Sequence, residues 1–238
     1  CVRPERWDQS WYPASTTVPQ PGYVCVDNDA FSIYSANDVS NTLVERGIPY
    51  VNFFEEPAIS KTELSFDFDR VAWIDCNRFY YYFMNSITGA YLRVHYYRRS
   101  HTINVGQYSV SNGYENIYTN TAFYENDGNC KFVVAADGTI SFYFDGMLKG
   151  STNFDTEIYG LNTVKIIVNE GHFHYDNIIV DQIFNEGTPY EYTTNIVDLD
   201  FSDGPYAQFA DYYYNTNDER ILTVKSQEAA SYYPFKTY

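Results

Sequence analysis

The chain has 238 residues, 26 of them Tyr and 17 Phe, and 31 Asp and Glu against 15 Lys and Arg leave a formal net charge of −16. Affinity for nucleic acid rests on Lys and Arg displacing counterions from phosphates, so this acidic balance excludes DNA and RNA as partners. No run reaches the roughly 20 apolar residues of a membrane helix, so no transmembrane segment is expected. The aromatic content instead points to recognition or assembly, because a Tyr ring packs, stacks or lines an interface while its hydroxyl stays wet.

Residues 1–60 read as an extended arm followed by the first strands. The first thirty hold four prolines, Trp7, Trp11 and the polar stretch Ser15-Thr16-Thr17, a composition suited to chain lying on another surface. Cys1 at the start fits a lipid-anchored surface protein, and equally a cut product. The four cysteines, Cys1, Cys25, Cys76 and Cys130, show no zinc-finger spacing. Three pairings are possible; an exported chain favours Cys1 with Cys25 and Cys76 with Cys130, and unpaired buried thiols are the alternative. Asp27-Asn28-Asp29 clusters oxygen ligands where Ca²⁺ could sit, although Asn and Asp are also ordinary turn residues.

From residue 61 to 184 the pattern becomes that of an antiparallel sheet. Leu64-Ser65-Phe66-Asp67-Phe68-Asp69 alternates strictly, and Phe79–Met84 and Ala90–Tyr97 read as strands joined by a turn at Thr88-Gly89. Strands Lys131–Ala135, Thr139–Phe144 and Met147–Gly150 are separated by Asp137-Gly138 and Asp145-Gly146, two strong hairpin signals. Thr163–Val168 then leads through Asn169-Glu170-Gly171 into His172–Ile183. Such a meander predicts an all-β, two-sheet sandwich.

Residues 60–184 also carry a resemblance. Thr139–Leu148 around its Asp-Gly turn, Val164–Val168, and Tyr175-Asp176-Asn177-Ile178-Ile179-Val180 resemble the laminin-G-like and concanavalin A-like jelly-roll superfamily. The resemblance implies a two-sheet antiparallel jelly roll, often extracellular, often binding glycans or proteins, and sometimes holding Ca²⁺ at its rim. Residues 185–238 form a Tyr-rich C-terminal extension. There Ile196–Phe201 alternates again and Arg220–Val224 suits a strand, so the extension either completes the sandwich or reaches a neighbouring copy.

Signatures of catalysis are absent. There is no Gly-rich phosphate loop, no Gly-x-Ser-x-Gly elbow and no Glu-x-Asp-x-x-Glu of the superfamily's glycoside hydrolases, so no catalytic residue is assigned. Asp67 with Asp69, and Asp198 with Asp200, each share one face of a strand, as the solvated side of an amphipathic strand does. His172, His174 and Asp176 also share a face, which suits a zinc ion or contacts to a sugar or partner. Glu125, Asp127 and Asn129 form a second oxygen-rich segment for Ca²⁺. Trp73, Tyr80, Tyr82, Tyr96 and Tyr97 are the candidate stacking residues.

The expectation is a non-catalytic module at the cell surface or outside the cell that binds carbohydrate or a protein surface through Tyr and Trp. The alternative is a structural subunit of a filament or coat whose terminal arms bridge copies. A polysaccharide-active enzyme is the third reading.

Overall fold

The protein was analysed as a computed structural model, which describes residues 23–27, 30–35, 41–54, 58–70, 78–169, 171–199, 212–215 and 220–222. Cys1, Trp7, Trp11, Asp29, Trp73, Cys76 and Asp200 lie outside the described residues, as do the side chains of Cys25 and Asp27.

The strands, in chain order, are β1 Tyr23–Asp27, β2 Ala30–Ser35, β3 Asn41–Asn52, β4 Ile59–Arg70, β5 Arg78–Met84, β6 Tyr91–Tyr97, β7 Thr102–Ser109, β8 Gly113–Asn120, β9 Asp127–Ala135 and β10 Thr139–Phe144. They continue as β11 Met147–Asn153, β12 Gly160–Asn169, β13 Gly171–Phe184, β14 Tyr192–Leu199, β15 Tyr212–Asn215 and β16 Arg220–Leu222. Sheet A runs β1-β2-β13-β4-β9-β10-β11, with β14 paired to β13; sheet B runs β16-β15-β3-β12-β5-β6-β7-β8. All described pairings are antiparallel, and the architecture is a two-sheet jelly-roll sandwich.

Alternation generates this arrangement. In β4 and β5 every second side chain is buried, so Leu64, Phe66 and Phe68 meet Phe79, Tyr81 and Phe83 between the sheets. Phe66 and Tyr81 stack with centroids 3.6 Å apart and planes 2° from parallel. Phe79 packs edge-on against Phe173 at 5.0 Å, and Phe123 against Phe144 at 4.9 Å. Each such ring contributes about 1.5–3 kcal/mol by leaving water.

The turn chemistry matches its residues. Asp145 and Gly146 both have positive φ, the requirement of a type I′ hairpin turn. The Asp176-Asn177-Ile178 motif is a β-bulge: Asn177 sits at φ 49, and the pairing of β13 with β4 shifts between Asp176 and Ile179. The inserted residue resets the pleat, so that Tyr175 and Ile178 both face the core. The extension also enters these sheets, since β14 pairs with β13 and β15 with β3 of the same chain.

Two expectations are corrected here. Cys130 forms no bridge to Cys76: it is a free, fully buried thiol, turned inward with Phe132 and Val134 by the alternation of β9. Burial pushes its thiol well above the ordinary range, and the Asp145 and Asp67 carboxylates add to that. Tyr96 is not a surface ligand residue. With Leu92 and Val94 it faces the core at 0% exposure, and its hydroxyl donates to the Glu125 carbonyl at 2.9 Å.

The Phe66–Tyr81 stack yields a paired prediction. Replacing Phe66 with Ala leaves a cavity between the sheets and should cost about 3–5 kcal/mol in urea unfolding. Tyr81→Phe should act the opposite way. The Tyr81 hydroxyl is buried with no hydrogen-bond partner among the described residues, so removing it should stabilise the fold by about 1 kcal/mol.

Candidate functional site

The two outward faces of the sandwich differ in chemistry. On sheet B the outward positions of β5 are Arg78, Tyr80, Tyr82 and Met84, and those of β6 are Tyr91, Arg93, His95 and Tyr97. Register pairs Tyr82 with Arg93, Tyr80 with His95 and Arg78 with Tyr97. The rings stand as parallel slats. Tyr80 and His95 lie 4.1 Å apart at 10°, Tyr80 and Tyr82 6.4 Å apart at 13°, and His95 and Tyr97 6.5 Å apart at 11°. Beyond them Tyr91 stacks on Tyr108 at 4.9 Å and meets Tyr82 edge-on at 5.1 Å. Side chains on a sheet stand roughly perpendicular to it, so the slats direct ring edges and hydroxyl tips away from the protein.

A polar network flanks the rings. Arg93 lies over the Tyr114 ring at 4.4 Å and donates from Nη2 to Asn104 Oδ1 at 2.9 Å. Asn104 also accepts from the Tyr114 hydroxyl, and its Nδ2 donates to Thr119 Oγ1 at 2.8 Å. Gly106 makes room for this layout: a Cβ there would collide with the Tyr114 ring and hydroxyl and with the Glu115 carbonyl. On the other side Arg78 donates from Nε to Asn169 Oδ1 at 2.9 Å and lies 5.7 Å from the Tyr97 centroid. Burial pushes Tyr82 up to about 12, with the Arg93 guanidinium opposing. Burial, then Arg93 and Arg78, hold His95 down at about 4.

Sheet A presents carboxylates instead. Register aligns His174 with Asp69 and Asp127, and Asp176 with Asp67 and Asn129, and these six side chains line a cavity of about 700 Å³. Residues that the sequence offers as separate candidates thus meet in one place. Asp67 is a structural group there. Its two oxygens accept from Asn129 Nδ2 at 2.7 Å and Asn177 Nδ2 at 2.6 Å, which ties the bulge of β13 to β9. Burial raises the Asp69 carboxyl above its ordinary range; His174 opposes this and Asp127 adds to it.

The metal expectation at Asp27 and Asp29 lies outside the described residues. Among the described residues no three His, Cys, Asp or Glu side chains gather to hold an ion. His172 is 6% exposed and packs edge-on to His174 at 5.1 Å, so it is not presented to a ligand. Glu125 is exposed and lines no part of the cavity formed by Asp127 and Asn129.

No protein-family model matches the chain and no curated relative does. Among solved structures the chain is similar to the carbohydrate binding module CBM66 from Bacillus subtilis, at 9% identity over 68% of this chain and 93% of that one, with a TM-score of 0.46. It is also similar to the Caenorhabditis elegans galectin LEC-6, at 13% identity over 56% and 95%, TM-score 0.37. The T. cruzi calreticulin globular domain is a third, at 12% identity over 67% and 78%, TM-score 0.47. These values carry no ligand across, and the jelly roll stands on the strand order itself.

Of the ring candidates, Tyr80, Tyr82 and Tyr97 share the slatted face, whereas Tyr96 does not. Asn104, Tyr108, Tyr114 and Thr119 went unassigned from sequence, though a signal was present: Ile103, Val105 and the Ser111-Asn112-Gly113 turn mark the β7–β8 hairpin.

His95 gives this face a titration signature. Its imidazole is neutral in the folded chain down to about 4, whereas an unfolded His takes up a proton near 6.5. Between those values the unfolded state binds the extra proton, so stability falls as pH drops through that window. The His95 ring resonances should titrate with a midpoint near 4, and His95→Asn should reduce the pH dependence of urea unfolding there. Some slope should persist from His172, which is held down at about 3 by burial and His174. A His95 midpoint at the ordinary value would contradict this account.

Proposed function

We propose that the protein is a non-catalytic extracellular recognition module that binds carbohydrate across the outer face of sheet B. The observation that supports this reading most is the row Tyr82, Tyr80, His95 and Tyr97, held on adjacent strands beside the Arg93–Asn104–Tyr114 network. A sugar offers apolar C–H faces and a ring of hydroxyls. Aromatic edges and faces suit the first, while phenol, amide and guanidinium groups suit the second. Their neighbours already fix these rings, so a ligand loses little affinity to freezing them. The seven residues of β5 span roughly 23 Å, a length suited to several residues of a polymer.

Adhesion to a glycan-bearing surface follows from the same chemistry. The filament alternative draws no support from the described part of the extension, since β15 and β16 pair at the β3 edge of their own chain.

The experiment is retention on immobilised polysaccharides and a glycan array, with affinities then measured by calorimetry. Tyr80→Ala and Tyr82→Ala should each weaken binding about tenfold, the scale of one lost aromatic contact. His174→Ala, on the opposite sheet, should leave binding unchanged. Absence of any retained glycan would sink the reading, as would binding lost with His174→Ala and kept by the Tyr variants.

A further inference from the structure

Within a chain of net charge −16, the outer face of sheet B holds two arginines that form no ion pair with a carboxylate among the described residues. Arg78 and Arg93 are held by neutral partners, the amides of Asn169 and Asn104 and the rings of Tyr97 and Tyr114. Three described lysines behave otherwise, among them Lys165, which register sets beside Tyr82 on this same face. Lys61 sits 2.6 Å from Glu186, Lys131 3.0 Å from Glu63, and Lys165 3.0 Å from Glu45. Amide and ring contacts fix a guanidinium in place without neutralising it, so both Arg side chains keep charge and fork geometry for another partner.

Their placement is also specific. Arg93 lies in the Tyr82 row and Arg78 in the Tyr97 row, so the two flank the Tyr80–His95 row between them. Two steps along a strand pair separate them by roughly 13 Å. Both guanidiniums bear on His95, which answers by staying neutral.

We propose that this face selects anionic saccharides, with Arg78 and Arg93 each pairing with a carboxylate or sulfate of the chain laid across the Tyr80–His95 stack. The inference rests on the carbohydrate reading of this same face and names its ligand class. It also explains how an acidic protein holds an acidic polymer. The net charge repels the ligand at long range and is screened by salt, while the two half-buried pairs act at contact and are screened less. Binding should therefore weaken less as salt rises than binding to a broad basic patch does.

The test uses two pairs of polymers that differ in charge alone: polygalacturonate against its methyl ester, and dextran sulfate against dextran. Calorimetry should show at least one charged member bound about a hundredfold tighter than its neutral counterpart, about tenfold for each Arg pair. Which pair shows the gap tells carboxylate from sulfate. Arg78→Gln and Arg93→Gln together should erase the gap between the charged and neutral members. Arg93→Lys keeps the charge and the fold and should retain part of the gap, which guards against a variant that merely misfolds. Equal binding of charged and neutral members, lost with Tyr80→Ala, would overturn this inference and leave the carbohydrate reading standing. No binding to any of the four polymers by a protein that binds other, neutral glycans would overturn it as well. No binding to any glycan would remove both.

Discussion

The face-to-face contact of Phe66 and Tyr81 between the sheets is the constraint on which the outer surface depends. Phe66 lies on β4 and Tyr81 on β5, and the rings are 3.6 Å apart, so sliding either strand by one residue would break the stack. Such a slip would also turn Tyr80 and Tyr82 inward and expose Phe79, Tyr81 and Phe83, because side chains alternate with period two. The run Phe79-Tyr80-Tyr81-Tyr82-Phe83 is almost uniformly aromatic, and local hydropathy alone cannot choose its facing. Packing chooses it. The inner rings stack against sheet A, and the outer rings are thereby placed in one plane at strand spacing.

Charge is partitioned between the two faces by the same geometry. Sheet A turns Asp67, Asp69, Asp127 and Asp176 outward, with lysines paired to glutamates nearby. Sheet B turns out rings, amides, two guanidiniums and the Lys165–Glu45 pair. The bulge at Asn177 is what joins the acidic rows: Asn177 leaves the pleat, its amide reaches Asp67, and the strand resumes with Ile178 facing the core. A straight β13 would carry Ile178 outward into that acidic face. The Asp-Asn-Ile motif therefore records a local backbone need, and this is why it marks the fold without naming a ligand.

Much of sheet A was legible in the chain. The alternation of Leu64 to Asp69 and the two Asp-Gly turns fixed β4 and the β9–β10–β11 meander, since each depends on local sequence. What escaped depends on contacts far apart in sequence. Tyr96 and Tyr97 are chemically alike, and only the packing of β6 on Phe68 and Phe79 assigns one to the core and the other to the face. Cys130 lies within the apolar alternation of β9, which makes it a core residue as readily as a bridge. His174, Asp127 and Asp69 come together through pairing of strands more than forty residues apart in sequence, so no spacing within one segment could disclose their meeting.

The outer face of sheet B keeps a constant charge for a physical reason. Its rings are half-buried against one another, and that desolvation disfavours any charged form. His95 is pushed down to about 4 and Tyr82 up to about 12, while Tyr91 and Tyr114 are raised as well. The same guanidiniums that hold His95 neutral oppose the rise at Tyr82, Tyr91 and Tyr114 without reversing it, so burial outweighs their field. Arg78 and Arg93 stand as cations among neutral phenols and imidazole, beside the Lys165–Glu45 pair. From about 4 up to neutral pH the face therefore presents the same donors, and the ligand proposed for it would meet those two groups in fixed places.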